Sequence, residues 1–313
     1  MRQHSPSIGI LAIACGLLIN ASVAKAAIDT WVSGTGSDAG NCPITAPCRT
    51  FAFAHTQTNN NGTINVLSSG NFGPLTITKP ISIVAQGVEA LINTGASGAG
   101  IIVQTGPAQI VSLRGLTIDL RGTNNTGILF DSGAALHVHD SVIRKAANGI
   151  LFSPDSGNSE LYVVDSVVAN SSQSSILVVP GGSAGARIVI DRVRVENGAL
   201  DAIFFRGDST SGSIKATLRD SVSAGNGGAG IRVNETGGGT TDVMIDRSAS
   251  VNNGGQGIIT IGAGATVRMG DSTVTGNATG LAAISGSLIA SYGTNKIDDN
   301  TSAGSTPTPI AMK

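Results

Sequence analysis

The sequence predicts an all-β chain wound as a three-sided parallel β-helix of about eight to ten coils. Two repeated markers and the composition carry that prediction. An Asp opening nearly the same phrase recurs at Asp140, Asp165, Asp191, Asp220, Asp246 and Asp271, with Gly115 in the equivalent place upstream. The steps are 25, 25, 26, 29, 26 and 25 residues. A small residue followed by Ile or Leu recurs in parallel, from Gly100-Ile101 through Gly149-Ile150 and Gly230-Ile231 to Gly280-Leu281. Two markers drifting together define a true repeat, the signature of a solenoid. The 313 residues include 43 Gly, with 3% aromatic and 12% charged residues, which favours short strands and tight turns over long helices.

Each repeat holds three short apolar runs, such as "GILF" (149–152), "LYVV" (161–164) and "SVVA" (166–169). No segment is long enough or suitably periodic for a helix between them. At ~3.3 Å per strand residue a 25-residue coil has a perimeter of about 80 Å, and successive coils stack ~4.8 Å apart. A leucine-rich repeat shares the period, but its Leu-x-x-Leu-x-Leu frame is missing. The position two before the Asp (Leu113, Val138, Val163, Val189, Leu218, Met244 and Met269) is apolar throughout and reads as inward. The mixed position just before it (Arg114, His139, Val164, Ile190, Arg219, Ile245 and Gly270) reads as outward.

The repeated Asp reads as a turn former, because Asp tolerates left-handed backbone and bonds its own main chain. The competing reading, a cation-binding ladder, has to contend with charges that repel by about 0.9 kcal/mol per neighbouring pair even in water. Arg192, Arg219 and Arg247 stand beside the column in sequence and offer compensation. The calcium-binding nonapeptide repeat does not fit the period. His137 and His139 share one strand face, without an obvious third metal ligand.

Residues 1–26 read as a secretory signal peptide: a basic start, the apolar run "IGILAIACGLLI" and a small-x-small site ending at Ala26. The run is too short for a transmembrane helix. Cleavage after Ala26 leaves 17 cationic side chains against 20 carboxylates, a net charge of −3, which argues against nucleic-acid binding. A secreted or periplasmic chain with Cys42 and Cys48 six residues apart is expected to close a small disulfide loop. The expected organisation is a leader (1–26), an N-terminal cap with the disulfide loop (27–72), the β-helix (73–300) and a flexible C-terminal tail (301–313).

The stretches "VSGTGSD" (Val32 to Asp38), "PCRTF" (Pro47 to Phe51) and "TINVLSSGNF" (Thr63 to Phe72) are where the chain resembles secreted right-handed β-helix proteins of the pectin-lyase-like superfamily. The resemblance implies a right-handed coil capped by one short amphipathic helix. It also directs attention to a groove on one sheet, where lyases and hydrolases of that superfamily work.

With Ile128, Ile150, Ile176, Ile203, Ile231 and Ile258 inward, that sheet presents Leu129, Leu151, Leu177 and Phe204 outward as an apolar stripe able to support oligomerisation or docking. Beside it a polar group is expected from two consecutive coils: Phe204, Arg206, Asp208, Arg232, Asn234 and Glu235. The acid-rich signatures of polygalacturonase relatives are missing as a set. The sequence therefore reads as a scaffold binding polysaccharide or a cell-surface protein, without a recognisable catalytic set. The alternative is a polysaccharide lyase or glycoside hydrolase with a divergent site at the same residues. No cofactor is implied; calcium stays open as a ligand, although no motif supports it.

Overall fold

A computed structural model of the chain describes residues 27–94, 98–122 and 124–312; the leader expected at 1–26 lies outside them. Three parallel sheets form the walls of one solenoid. A twelve-stranded "long sheet" carries the strands that lead into the Asp turn, and a ten-stranded "short sheet" carries the strands of two to four residues after it. A ten-stranded "Gly-Ile sheet" carries the strands that follow the second marker. One coil shows the path. Ile150–Phe152 lies in the Gly-Ile sheet and Asn158–Val164 in the long sheet; the chain bends at Asp165, runs through Val167–Ala169, bends again at Asn170 and arrives at Ile176–Val178. Each strand pairs with its counterpart one coil on, as in Ile150 with Ile176, Leu161 with Ile188 and Val168 with Val195.

Alternating side chains fill the interior, and the axial column Leu113, Val138, Val163, Ile190, Leu218, Ile245 and Met269 is no more than 1% exposed. Burying an aliphatic side chain of this size contributes roughly 1.5–3 kcal/mol. Two coils depart from the sequence reading by one residue. Ile190 and Ile245 point inward where Val189 and Met244 were expected, and the left-handed turn residues there are Arg192 (φ 53°) and Arg247 (φ 44°), not Asp191 and Asp246. In the other coils Asp140, Asp165, Asp220 and Asp271 hold the left-handed position as expected.

The residue after each turn explains the register. Ser141, Ser166, Ser221, Ser248 and Ser272 are buried directly inside it. Ser141 N–H donates to Ser166 Oγ (3.1 Å), Ser221 N–H to Ser248 Oγ (3.2 Å) and Ser248 N–H to Ser272 Oγ (3.2 Å). A second internal ladder stands at the next bend. Asn226, Asn253, Asn277 and Asn300 stack with each Nδ2 donating to the next Oδ1 at 2.9 Å. These ladders satisfy backbone and amide groups that the solenoid corners would otherwise leave without partners.

The small residue of the second marker is a matter of space. A Cβ on Gly127 would stand 2.3 Å from the Gly149 carbonyl oxygen and 2.6 Å from Ile143 Cγ2. One on Gly149 would stand 2.3 Å from Val168 Cγ1.

At the N-terminal end the helix Phe51–Gln57 buries Phe51, Ala54 and His55 against the first coil. Thr50 caps it, its Oγ1 accepting from Phe53 N–H at 3.2 Å. Asp38 ties the "VSGTGSD" and "PCRTF" stretches together by accepting from the Arg49 and Thr50 N–H groups (2.8 and 2.9 Å) and the Thr50 hydroxyl (2.8 Å). Cys42 and Cys48 form the expected disulfide. The C-terminal segment is not a free tail. Ser302–Gly304 extends the Gly-Ile sheet and Thr308–Pro309 the long sheet, each pairing in parallel with the preceding coil. Backbone pairing holds a sequence whose Ser, Thr and Pro content alone suggests a loose end.

Candidate functional site

On the outer face of the Gly-Ile sheet the register runs through Ile102, Leu129, Leu151, Leu177, Phe204, Arg232 and Ile259. Leu129, Leu151, Leu177 and Phe204 are adjacent and half-buried, so the apolar stripe forms as expected. Where it ends, Arg232 lies over Phe204 with its guanidinium carbon 5.5 Å from the ring centroid. Such stacking contributes roughly 0.5–1 kcal/mol at exposed sites and more when desolvated. Arg232 Nε lies 2.8 Å from Asp201 Oδ2, and the Asp201 side chain is 11% exposed. Asp201 was not among the expected residues. It precedes the marker Ala202-Ile203 and turns inward, where its Oδ1 accepts from Ala229 N–H at 2.7 Å.

The next outward row pairs Arg206 with Asn234. Arg206 Nε donates to Asp208 Oδ1 at 2.9 Å and Asn234 Nδ2 to Asp208 Oδ2 at 3.0 Å, while Asn234 Oδ1 has no hydrogen-bond partner among the described residues. The structure thus brings together Phe204, Arg206, Asp208, Arg232 and Asn234. Glu235 is the correction. It is 2% exposed and faces inward, accepting from Gly237 N–H (2.9 Å), Gly239 N–H (3.2 Å) and Thr241 Oγ1 (3.3 Å). The strand ends at Asn234, so alternation no longer dictates orientation. The carboxylate instead folds under to hold the glycine loop.

The column at the Asp turn is an ion ladder. Arg192 bridges Asp165 (2.6 Å) and Asp191 (2.6 Å), Arg219 bridges Asp191 (2.6 Å) and Asp220 (3.7 Å), and Arg247 joins Asp220 (2.9 Å) to Asp246. Arg114 pairs separately with Asp140 at 2.8 Å. Hydrogen bonds from these guanidinium groups hold the Asp165, Asp191 and Asp220 carboxyls below the usual carboxylate range. Every acid from Asp165 to Asp246 therefore has a guanidinium partner, with three Arg side chains interleaved between four carboxylates. His137 and His139 lie on the outer face of the long sheet, with ring centroids 6.1 Å apart and the His137 ring 4.6 Å from that of Tyr162. Among the described residues no three His, Cys, Asp or Glu side chains gather into a metal-ligating group, and no helix is long and apolar enough to cross a membrane.

Three parallel sheets, the internal serine and asparagine ladders and the N-terminal helix define a right-handed parallel β-helix. The family described as "Right handed beta helix region" matches residues 126–302, more than half of the chain, and the chain belongs to it. Among solved structures it is similar to pectate lyase Pel9A, with a TM-score of 0.57 and 15% identity over 91% of this chain and 81% of that one. It is also similar to the A-module of the Azotobacter vinelandii mannuronan C-5 epimerase AlgE6, with a TM-score of 0.52 and 16% identity over 77% and 68% of the two chains. At such identities the likeness carries the fold alone. No curated protein gives a sequence match.

Proposed function

We propose that the chain is an exported β-helix scaffold that binds carbohydrate without turning it over. The observation that carries this reading is Arg232 stacked over Phe204 beside the Arg206, Asp208 and Asn234 group. An aromatic face offers a platform to the CH face of a sugar, and guanidinium and amide groups offer directed partners to its hydroxyls. The carboxylates nearby already have structural employment. Asp201 pairs with Arg232, Asp208 with Arg206, Asp131 accepts from Gln104 at 3.1 Å, and Glu235 holds its loop. A glycoside hydrolase needs one carboxyl to protonate the leaving oxygen and a second to activate water or attack the sugar, and a lyase needs a base free to abstract a proton. Export is supported by the expected leader and by a disulfide suited to an oxidising compartment. Both solved structures cited above bear the names of polysaccharide enzymes, which is compatible with a glycan ligand.

The test is a panel of neutral and uronate glycans, with and without calcium, scored for binding and for new unsaturated or reducing ends. Binding without turnover is the expected outcome, with affinity reduced at least tenfold by Arg232→Ala and by Phe204→Ala; the second variant leaves the Arg232 to Asp201 pair in place. New chain ends would establish an enzyme instead. Unchanged affinity in both variants would move the site elsewhere.

A further inference from the structure

The outer face of the long sheet carries a second, differently built surface. Its middle row reads Tyr162, Val189, Thr217, Met244 and Arg268, one residue per coil in direct register. On one side stands the row Glu160, Arg187, Lys215 and Asp242, on the other the ion ladder at Asp191 and Arg219. The middle row floors a groove of about 370 Å³. The groove shares Met244 and Arg268 with a hollow of about 630 Å³ that ends against Tyr292. The chain has only two tyrosines, and they stand at the two ends of this trough. Five coil steps separate them, roughly 24 Å along the solenoid axis.

The charges explain what such a trough would hold. Arg187 and Lys215 are Cα partners on adjacent strands, a like-charge pair directly opposite, which is unfavourable unless something neutralises it. Glu160 partly neutralises Arg187, but the other acids within reach pair elsewhere and none pairs with Lys215 among the described residues. Glu160 accepts from the Tyr162 hydroxyl at 2.9 Å and lies 3.4 Å from Arg187, Asp242 pairs with Arg268 at 3.1 Å, and Asp191 is held by Arg192 and Arg219. Lys215 is exposed and has no ion pair among the described residues. The Tyr162 ring is fixed in advance by its hydrogen bond to Glu160 and by the His137 ring 4.6 Å away.

We infer that this trough is a non-catalytic binding site for a carboxylated linear polysaccharide lying along the solenoid axis, independent of the Phe204 patch. Sugar rings stack on the tyrosines and a carboxylate bridges Arg187 and Lys215, where the planar guanidinium suits bidentate contact. A peptide fits less well. The backbone of the face is already paired in the sheet, so no strand edge is open to it.

The experiment measures binding of soluble polygalacturonate, neutral dextran, dextran sulfate and poly-L-glutamate to the full chain by titration calorimetry. Polygalacturonate binding that weakens at least tenfold in Arg187→Ala/Lys215→Ala, and at least threefold in Tyr162→Ala, while Arg194→Ala on the short sheet leaves it unchanged, is the expected result. These side chains lie on the surface, and an unchanged melting temperature shows that each variant is folded. Equal affinity in the double variant, or dextran binding as tightly, overturns the assignment. Tighter binding of dextran sulfate or poly-L-glutamate overturns the ligand class. Loss on Arg232→Ala alone overturns this site and leaves the Phe204 reading standing.

Discussion

Arg192 reaches back one coil to Asp165 with two parallel contacts, Nε to Oδ1 at 2.6 Å and Nη2 to Oδ2 at 2.9 Å, while its Nη1 holds Asp191 at 2.6 Å. The same residue occupies a left-handed turn at φ 53°, a conformation that costs a non-glycine L-residue roughly 1 kcal/mol or more. Backbone and side chain therefore pull in opposite directions at one position. Replacement by Gly relieves the backbone and removes both ion pairs.

Arg192→Gly is expected to melt at a lower temperature than the parent at about 50 mM NaCl, because the buried Asp191 keeps only Arg219 and Asp165 loses its partner. At about 1 M NaCl the Debye length shrinks to roughly 3 Å and the deficit should narrow or reverse as the glycine's backbone advantage emerges. Melting curves at both salt concentrations decide it. A deficit that does not change with salt would mean that the ladder contributes packing, not charge.

The internal asparagines give a larger effect. Asn253 is 2% exposed; its Oδ1 accepts from the Asn226 N–H (3.1 Å) and Nδ2 (2.9 Å), and its own Nδ2 donates to Asn277 Oδ1 at 2.9 Å. Asn253→Ala strips partners from the ladder above and below. Each buried group left unsatisfied costs about 1–3 kcal/mol, so a loss of about 3 kcal/mol in unfolding free energy is expected from denaturant titration. A loss below about 1 kcal/mol would mean that water replaces the amide.

Much of this architecture is legible in the sequence, because period, alternation and turn chemistry all act locally. The two coils read one residue out of register show where local reading fails. In "RIVIDRV" and "DVMIDRS" either of two apolar residues can face inward, and Asp is a better left-handed former than Arg, so the turn is assigned to Asp191 and Asp246. Counting back from the inward Ser248 places the turn at Arg247, and Val193 does the same for Arg192. That inner column is the signal that settles the register. Glu235 and Asp201 escaped for another reason. Both lie beyond a strand end, where orientation depends on which backbone N–H groups a carboxylate can reach, and no spacing rule encodes that.

The marker glycines are close to irreplaceable for steric reasons. Gly127→Ala sets a methyl group against the Gly149 carbonyl and Ile143 and forces adjacent coils apart at the corner. Overpacking of this kind costs about 1–3 kcal/mol. Gly157→Ala is the comparison, since its Cβ would meet nothing within 4 Å although its φ of 72° imposes backbone strain. If Gly127→Ala loses no more unfolding free energy than Gly157→Ala, the corner has slack that the contact distances do not show.

The cap helix carries a titratable group whose proton decides its packing. His55 is 8% exposed, its Nε2 accepts from Thr78 N–H at 3.3 Å, and burial together with the nearby Lys79 charge pushes its pKa down to about 4. The unfolded chain, with a His pKa of about 6.5, binds this proton more readily than the folded one. Stability from this group is therefore complete above about pH 6.5, falls as the pH drops towards 4, and changes little below that. The full difference is worth about 3 kcal/mol. Chemical denaturation at pH 7 and at pH 4.5 should show the loss in the parent. In His55→Gln, whose amide oxygen can still accept from Thr78, the pH dependence should be flatter by most of that amount. Equal pH dependence in the two proteins would place the acid sensitivity in the carboxylates of the ion ladder, although their depressed pKa values put their own titration at lower pH. A proton NMR titration of His55 giving a pKa near 6.5 would remove the basis of the prediction altogether.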